Sequence, residues 1–545
     1  MASVCIPYSQ VPHTTSLYLD YLYHFDRVER FYSGPPSDFR SFQRVAKLIR
    51  SQHSDRDNLV SVLTRQNKHF GCSEETLANI QLLKDPDTFA VLTGQQAGLF
   101  SGPALTLYKA LTAVRLAQDL TLQGLRCVSV FWLATEDHDL EEVLRTAVLD
   151  DDGQLQWLAP PVERPAADSP VGAVKFGEGI TEVLAGLERL FPPGEARDQL
   201  LHDLRECYAP GVKWGDGFGR LMARLLGRFG AILIDPFDAE VHAAASGIYG
   251  WALEQAGRLR ERLRERSQEL TAAGYHAQVH AGEDSTLIFA TVNGGRRAIH
   301  QEGSRFTAVG LPAAPMSQLQ RSIAERPLDF TPSALFRPVV QDSLLPTVAY
   351  VAGPAEVAYF AQSQVIYQEF GRLMPVIFPR AAFTLADRKI ERLLGKYALT
   401  LEDIFQGEEH VRRKIAAASL AGGSAEPWPA RLDRGGQEIR SLFDDLQSAV
   451  ERLDPTLTDT LHHTQEKMIF QLEKLRGKLS RAELERSEIL RRHEQSLLHF
   501  LMPDGALQER KISGVYFLGR AGYELLDRLF AQIQPDCMDH QFVVY

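Results

Sequence analysis

A strand, a glycine-rich turn and a helix follow one another between residues 88 and 117, and this stretch constrains the fold most. Residues 88–92 are apolar and β-rich, which is typical of a strand buried on both faces. Gly94, Gly98 and Gly102 follow within nine residues, and Pro103 stands where the first turn of a helix accepts proline. The apolar residues from 104 to 117 recur at helical spacing. The stretch therefore predicts the beginning of a βαβ unit.

The turn between this strand and helix is a candidate anion site, because backbone N–H groups converge at such a position. A tight connection without any ligand would also explain the glycines. Gln95 and Gln96 favour a binding role, since a simple turn does not require two long amide side chains. The residues that we assign to binding a phosphate or a developing negative charge are Thr93, Gly94, Gln95, Gln96, Gly98 and Gly102.

A second strand, predicted at residues 127–133, runs directly into the polar sequence Glu136, Asp137, His138 and Asp139. In a parallel sheet both polar loops follow the carboxyl ends of strands, where ligands bind. We assign Asp137, His138 and Asp139 to catalysis by proton transfer and Glu136 to substrate binding. Two alternatives remain open, which are a bound metal ion and a helix start capped by Asp137 or Asp139. Neighbouring side chains diverge in an extended chain, so four in a row cannot all reach one ion.

The strand–glycine–proline–helix pattern occurs again at residues 347–359, with Gly353 and Pro354 at the turn. Glu356 falls in the first helical turn, where it could simply stabilise the helix dipole. Arg337 and Arg380 stand beside prolines at predicted strand edges and are candidate carboxylate-binding residues. The residues of this second polar region that we place in the site are Arg337, Gln341, Asp342, Tyr350, Gly353, Glu356 and Arg380.

Overall composition excludes several classes of protein. The net charge of −11 argues against sequence-independent binding to nucleic acid or to an anionic membrane. No apolar stretch reaches the roughly 18 residues that a membrane span requires, and residues 1–7 lack the layout of a secretory signal. The five cysteines are widely spaced and form no C-x-x-C pair. We therefore expect a cytoplasmic protein with reduced thiols.

Heptad spacing characterises the segment after residue 386. Leu461, Met468, Leu475 and Ala482 are seven residues apart, with Leu472 and Leu479 at the intervening positions. This pattern predicts a coiled-coil seam over about three heptads. A helical hairpin that pairs two subunits explains it better than a ligand-binding role.

Four segments together resemble the BshC family of bacillithiol biosynthesis, a family of cysteine-adding enzymes. They are residues 93–103, 136–139, 339–356 and 507–510, and they occur in the family's order along most of the chain. The resemblance implies a homodimeric ligase that joins the carboxyl group of cysteine to the amine of glucosaminyl-malate. It also implies an α/β fold, with a Rossmann-like parallel-sheet core, two connecting insertions and an α-helical coiled-coil domain.

On this basis we divide the chain into eight segments. The core comprises residues 87–150, 229–272 and 331–385, and the insertions are residues 151–228 and 273–330, the second predicted as a small antiparallel sheet. Residues 1–86 form a helical segment packed on the core, residues 386–501 form the coiled-coil domain, and residues 502–545 form a tail docked on the core.

The sequence departs from nucleotidyl-transferring ligases, which the core resembles in outline. Those enzymes have H-x-G-H at the first helix start, where this chain has Phe100-Ser-Gly-Pro103, and no K-M-S-K-S run is present. ATP or another nucleotide is therefore expected only by analogy of fold and reaction, and the cofactor stays unassigned.

In the proposed reaction the first glycine turn stabilises negative charge, and Asp137, His138 or Asp139 orients or deprotonates the amine. Gln341, Asp342, Tyr350 and Glu356 line the far wall, and Arg337 or Arg380 binds the malate carboxylates. Three rival functions remain: a nucleotidylyltransferase acting on a sugar, a metal-dependent amidase or deacetylase, and a non-catalytic coiled-coil scaffold.

Overall fold

The core of the protein is a five-stranded parallel sheet. The computed structural model describes residues 4–50, 52, 55–163, 168–279, 282, 284–420 and 428–545. In chain order the strands are β1 (Phe89–Gln95), β2 (Cys127–Leu133), β3 (Ile232–Ile234), β4 (Thr347–Ala352) and β5 (Val376–Pro379). Nearly every residue of these strands is buried, which is why their sequences are continuously apolar.

The spatial order of the strands is β5-β4-β1-β2-β3, and every neighbouring pair is parallel. After β1 the chain first builds the sheet outward through β2 and β3, and it later returns to add β4 and β5 on the other side of β1. The direction of winding thus reverses between β1 and β4. In doubly wound sheets a ligand cleft opens at this position, beyond the carboxyl ends of the strands. The predicted Rossmann-like architecture is present.

Helices cover both faces of the sheet. On one face, Phe42, Val45 and Ile49 of one helix pack against Val91, Val348 and other strand residues. The helices that surround the sheet are Ser16–Tyr23, Phe39–Ile49, Arg56–Phe70, Glu74–Leu82, Leu105–Leu122, Trp214–Leu226, Ala239–Glu254, Ala256–Ala272, Arg337–Leu344 and Pro354–Phe370.

The two segments predicted as insertions have different structures. The first contains short strands, one of them paired with Thr146–Leu149 just before it, and three α-helices, Ile180–Leu190, Glu195–Cys207 and the sheet-covering Trp214–Leu226. The second is a five-stranded antiparallel sheet of Ser285–Val292, Gly295–Glu302, Arg305–Ala308, Leu311–Pro315 and Phe330–Pro332. Helix Met316–Glu325 lies between the last two of these strands in the sequence. A hairpin turn at Asn293 and Gly294 joins the first two strands of this sheet, and both residues have a positive φ.

A helical domain follows the core. Its longest helices, Trp428–Leu453 and Thr458–Arg486, are joined by a short turn and pack against each other as a hairpin. The other helices after the core are Arg388–Lys396, Leu401–Phe405, Glu408–Leu420, Glu488–Leu501, Gln508–Lys511, Gly514–Ala521 and Glu524–Gln532. Among the described residues, no helix has both the length and the apolarity to cross a membrane.

A second small sheet connects distant parts of the chain. Strand His540–Val544 pairs in parallel with Ala382–Ala386 and antiparallel with Val4–Ile6. Glu509 accepts a hydrogen bond from the backbone N–H of Phe383 in Ala382–Ala386, an edge strand of this sheet. The sheet therefore fixes the segment around Glu509 directly behind the carboxyl end of β5.

Candidate active site

A cleft of about 560 Å³ opens where the winding of the sheet reverses. Its floor consists of the carboxyl ends of β1 and β2 and the turn after β4, and the antiparallel sheet of the second insertion forms its opposite wall. The polar residues that line it are Gln95, Gln96, Lys109, Glu136, Asp137, Ser285, Arg296, Ser333, Arg337, Glu356, Tyr359, Arg380 and Arg510. Cations and carboxylates thus share one enclosed space.

Lys109 is the best-buried charged group at the floor of this cleft, with 1% of its surface exposed. Its Nζ lies 2.7 Å from Oε2 of Glu356 and 3.1 Å from Oε1 of Gln95, and it also donates to the carbonyl of Gly94. Burial raises the pKa of Glu356, but the charge of Lys109 and the N–H of Gly353 outweigh this and hold that pKa below its usual value. Glu356 is therefore ionised at neutral pH.

Helix Pro354–Phe370 begins at the cleft, and Gly353, Pro354, Ala355 and Glu356 all line it. The first N–H groups of a helix have no intrahelical acceptor and favour negative charge. Arg337 lies in the same wall, where its Nη2 donates to the hydroxyl of Tyr359 at 3.0 Å. This side of the cleft is suited to binding a carboxylate or another anion.

The opposite side of the cleft carries carboxylates. Oδ2 of Asp137 accepts a hydrogen bond from Nε2 of Gln96 at 3.2 Å, so the loops after β1 and β2 are in contact. Burial raises the pKa of Asp137, but the bond from Gln96, the charge of Arg296 and two backbone N–H groups have a larger effect in the opposite direction. The net pKa therefore lies below its usual value. Asp137 is consequently a carboxylate at neutral pH, suited to binding an amine.

Glu136 is held by a histidine from another element. Its Oε1 lies 2.8 Å from Nε2 of His242, which is 1% exposed, and Nδ1 of His242 lies 3.1 Å from the carbonyl of Pro327. Both ring nitrogens therefore face acceptors, which favours the doubly protonated imidazolium. Burial lowers the pKa of His242, but the hydrogen bond and charge of Glu136 outweigh it and raise that pKa.

Two family models divide the chain between them. Residues 1–381 match the model described as "Bacillithiol biosynthesis BshC, N-terminal Rossmann-like domain". Residues 383–545 match the corresponding C-terminal coiled-coil domain. The chain belongs to the BshC family.

Curated relatives agree with this assignment along their full length. A protein of Koribacter versatilis is 36% identical over 99% of each chain, and one of Solibacter usitatus is 36% identical over 100% of each. A third, from Salinibacter ruber, is 33% identical over 97% of this chain and 96% of its own. All three carry the name "Putative cysteine ligase BshC". Membership of this ligase family is consistent with a cleft that holds both anion-binding and amine-binding groups.

About half of the site residues predicted from the sequence lie in the cleft. Those that line it are Gly94, Gln95, Gln96, Glu136, Asp137, Arg337, Gly353, Glu356 and Arg380. Those that do not are Thr93, Gly98, Gly102, His138, Asp139, Gln341, Asp342 and Tyr350. Their chemical roles stay predictions, and the positions outside the cleft require correction.

Thr93, Gly98 and Gly102 of the first glycine turn have structural roles, and their part in binding an anion stays a prediction. Strand β1 continues to Gln95, so Thr93 is a strand residue whose hydroxyl donates to the carbonyl of Val351. A Cβ on Gly98 would lie 2.6 Å from the Cα of Gly102, and Gly102 has a φ of +65°. These two glycines allow a close packing of backbone rather than contact with a ligand.

The helix after this turn begins at Leu105, later than predicted. The backbone N–H of Ala104 donates to Ile512, and Ser513 donates from its hydroxyl to the carbonyls of Phe100 and Gly102. A segment from the other end of the chain thus covers the turn. The helix start that lines the cleft at the winding reversal is the second one, at Gly353.

Gln341 and Asp342 do not form the far wall of the cleft. Both are buried on helix Arg337–Leu344, and the hydroxyl of Tyr367 donates to Oδ2 of Asp342. Burial raises the pKa of Asp342 to about 7. Tyr350 is also buried and reaches the site only indirectly, since its hydroxyl donates to Oε1 of Glu356 at 3.0 Å.

Arg380 lines the cleft, but its charge is already neutralised. Its Nη1 and Nη2 donate to the two carboxylate oxygens of Glu509, and the two side chains are 3% and 1% exposed. Such a bidentate pair leaves little capacity to bind a substrate carboxylate. The sequence could not reveal the partner, which lies 129 residues away.

His138 and Asp139 face a shallow depression that adjoins the cleft. Nδ1 of His138 lies 3.2 Å from Nη1 of Arg296, which lines the cleft, and 3.4 Å from Oδ1 of Asp137. Asp139 accepts a hydrogen bond from the N–H of Glu142 and caps helix Leu140–Val143. This is the alternative in which a residue of this loop caps a helix start. The side chains at 136–139 thus bind different partners.

Sequence reasoning missed Lys109, His242, Arg296 and Arg510. Lys109 had a detectable signal, because it is the one charged residue in the apolar first half of helix Leu105–Leu122. Arg296 and His242 had none, since each enters the site from an element whose position only the fold determines. Arg510 belongs to the 507–510 segment of the family resemblance, but it was not assigned to the site.

Proposed function

We propose that the protein forms an amide bond between the carboxyl group of cysteine and the amine of glucosaminyl-malate. The observation that carries this proposal is the division of one cleft into an anion-binding side, with Arg337 and the helix start at Gly353, and a carboxylate side, with Glu136 and Asp137. A substrate with carboxylates at one end and an amine at the other matches this division. Membership of the family supports the choice of substrates.

Arg337 and Arg510 bind the malate carboxylates in this proposal. Arg337 bonds to the hydroxyls of Tyr359 and Tyr350, and a guanidinium has five N–H donors, so it retains N–H groups for a ligand. Arg510 is exposed and lines the cleft, and its guanidinium donates no hydrogen bond within the part of the chain that the structure describes. Arg380, which the sequence suggested for this role, is not assigned to it, because its charge is neutralised by the ion pair with Glu509.

Asp137 orients the glucosamine amine. A carboxylate with a lowered pKa binds an ammonium group well but is a weak base. His138 lies 3.4 Å from Asp137 and is the adjacent imidazole that can accept the proton. The helix start at Gly353 stabilises the negative charge that develops on the attacked carboxyl oxygen. Lys109, whose three N–H bonds are used by Gly94, Gln95 and Glu356, holds these groups in position at the floor of the cleft.

The first turn does not fit a nucleotide site of the H-x-G-H kind. Phe100 and Ser101, which stand in that region, are completely buried, and the adjoining helix start is covered by Ile512 and Ser513. We therefore assign no step to ATP or another nucleotide. The reaction still requires an activated carboxyl group, since a free carboxylate does not condense with an amine.

We also propose that the protein is a cytoplasmic homodimer. The location is supported by five cysteines that are all free thiols. The dimer is supported by apolar side chains that the hairpin leaves exposed. They include Leu442 (54%), Phe470 (64%), Met468 (42%) and Leu475 (45%). Isolated apolar residues are common on surfaces, but Met468 and Leu475 are one heptad apart, which is typical of a helix that packs against another.

The test is to incubate the purified protein with glucosaminyl-malate, cysteine and ATP, and to identify the products by mass spectrometry. We expect the condensation product, and we expect His138→Ala to abolish it while leaving the fold intact. Arg321→Ala, which changes an exposed helical arginine of the second insertion, is the matched control and should retain full activity. Hydrolysis of an amide instead of its formation would support the amidase alternative and overturn the proposal.

A further inference from the structure

Two cysteines that are 532 residues apart in the chain meet at one edge of the small sheet. The Sγ atoms of Cys5 and Cys537 lie 3.3 Å apart, and both residues are free thiols. Cys5 belongs to strand Val4–Ile6 and is exposed, and Cys537 precedes strand His540–Val544 and is partly exposed. The pair lies outside the cleft and has no part in the proposed reaction.

The surrounding backbone fixes this proximity. Cys5 is opposite Gln541 in the antiparallel register, so the strand that follows Cys537 is hydrogen-bonded to the strand that contains Cys5. Tyr23 gives a second connection, since its hydroxyl donates to Oδ1 of Asp539 at 2.6 Å and accepts from the N–H of Tyr8 at 2.8 Å. The thiols are therefore held together from both sides.

We propose that Cys5 and Cys537 form a reversible intramolecular disulfide by exchange with a low-molecular-weight disulfide such as cystine. The thiolate of Cys5 attacks one sulfur of cystine and releases one cysteine, which leaves a mixed disulfide on Cys5. The thiolate of Cys537 then attacks the Cys5 sulfur and releases the second cysteine. Two protein thiols are oxidised to one disulfide, and one cystine is reduced to two cysteines.

The geometry makes this pair selective. The sulfurs must approach to about 2.0 Å, which is a short movement for two side chains whose backbones are already paired. Cys127 and Cys207 are buried, and neither they nor Cys72 contacts another thiol in the described parts of the chain. Cys5 is the most exposed of the five thiols, and Cys72, which is partly exposed, lacks a neighbouring thiol with which to complete a disulfide in the described parts of the chain.

The reaction should be slow at neutral pH. The protein around Cys5 and its contact with Cys537 raise the pKa of that thiol to about 11. Exchange proceeds through the thiolate, so its rate increases as the pH approaches this value. A disulfide that forms slowly and is reversed by thiols responds to sustained oxidation rather than to brief fluctuations.

The bond would reinforce the sheet that supports the cleft. Strand His540–Val544 pairs with Ala382–Ala386, and the N–H of Phe383 donates to Glu509, the partner of Arg380. A cross-link between Cys5 and Cys537 closes a very long loop of the unfolded chain, and this constraint stabilises the folded state. The cleft itself stays open, because neither cysteine lines it.

The test is to incubate the full-length protein with cystine in mildly alkaline buffer, quench with acid, and determine the intact mass and the linked peptides. Wild-type protein should lose the mass of two hydrogen atoms, and the peptides of Cys5 and Cys537 should be joined. Cys537→Ser should instead retain one cysteinyl group on Cys5. Cys127→Ser, the control for a buried thiol, should behave like wild type.

Thermal unfolding supplies a second measurement. The midpoint of cystine-treated wild type should rise by several degrees and return after reduction, whereas the midpoint of Cys5→Ser should not respond. A cysteinyl group that persists on wild-type Cys5 would overturn the proposal. So would an unchanged mass, or a disulfide between other cysteines or between two molecules.

Discussion

Lys109 and Glu356 form an ion pair across the reversal of winding in the sheet, with 2.7 Å between Nζ and Oε2. Lys109 belongs to the helix after β1, and Glu356 belongs to the helix after β4. The pair thus joins the two halves of the Rossmann-like core at the floor of the cleft. It also places a cation beside the helix start at Gly353.

Replacing Lys109 by Met should destabilise the protein by up to about 3–5 kcal/mol, since it leaves the largely buried carboxylate of Glu356, 18% exposed, without its cation. Lys109→Met combined with Glu356→Gln should be more stable than Lys109→Met alone, because the double variant has no uncompensated charge. Urea unfolding measures both free energies. Lys84→Met changes an exposed lysine and should stay within about 0.5 kcal/mol of wild type. Equal losses in the single and double variants would contradict this account.

Arg337→Ala should weaken binding of the acidic substrate. Losing a hydrogen-bonded cation costs about 1.5–3 kcal/mol, which corresponds to roughly a 10- to 100-fold decrease in kcat/KM. We expect most of the change in KM, because the malate carboxylates are remote from the reacting amine. Arg380→Lys should instead reduce folding stability, since it disrupts a fully buried bidentate pair. Steady-state kinetics that show an unchanged KM for Arg337→Ala would exclude it from substrate binding.

The pair of Glu136 and His242 should make stability depend on pH in a definite direction. The folded-state pKa of His242 is raised, so its contribution is complete below its unfolded pKa of about 6.5. That contribution is lost as the pH rises through the raised folded value. The difference in free energy of unfolding between wild type and His242→Gln should therefore shrink as the pH increases from slightly acidic to alkaline. A constant difference across this range would show that His242 is not an imidazolium.

The exposed face of the hairpin should determine the oligomeric state. Met468 and Leu475 are seven residues apart and therefore lie on one side of their helix. Replacing both by Lys should convert a dimer into a monomer in sedimentation or light-scattering measurements. Leu122→Lys, at an 85% exposed apolar position outside the hairpin, is the control and should leave the mass unchanged. A monomeric wild type would refute the dimer.

Local pattern explains what the sequence could predict. Continuous apolar runs located the buried strands, and the glycine–proline pairs located two helix starts, because these signals depend on neighbouring residues. The order of polar loops after parallel strands also placed Gln96 and Asp137 correctly near each other, since carboxyl ends of such strands share one edge.

Predictions failed where a distant segment supplied the partner. From the sequence, Arg380 is a candidate for binding a carboxylate, but in the fold it is paired with Glu509. The first glycine turn is likewise a candidate anion site, but in the fold Ile512 and Ser513 cover the helix start beside it. Neither partner follows from the spacing of residues around the site.

The sequence by itself determined the strand and helix pattern, the family and the loops that carry polar groups. Tertiary structure alone decided which of the two helix starts faces the cleft, which cation stays available, and that Cys5 meets Cys537. The physical reason is that periodicity and backbone preference act over a few residues, whereas the state of a charge or a thiol depends on whatever group the folded chain places within a few ångströms of it.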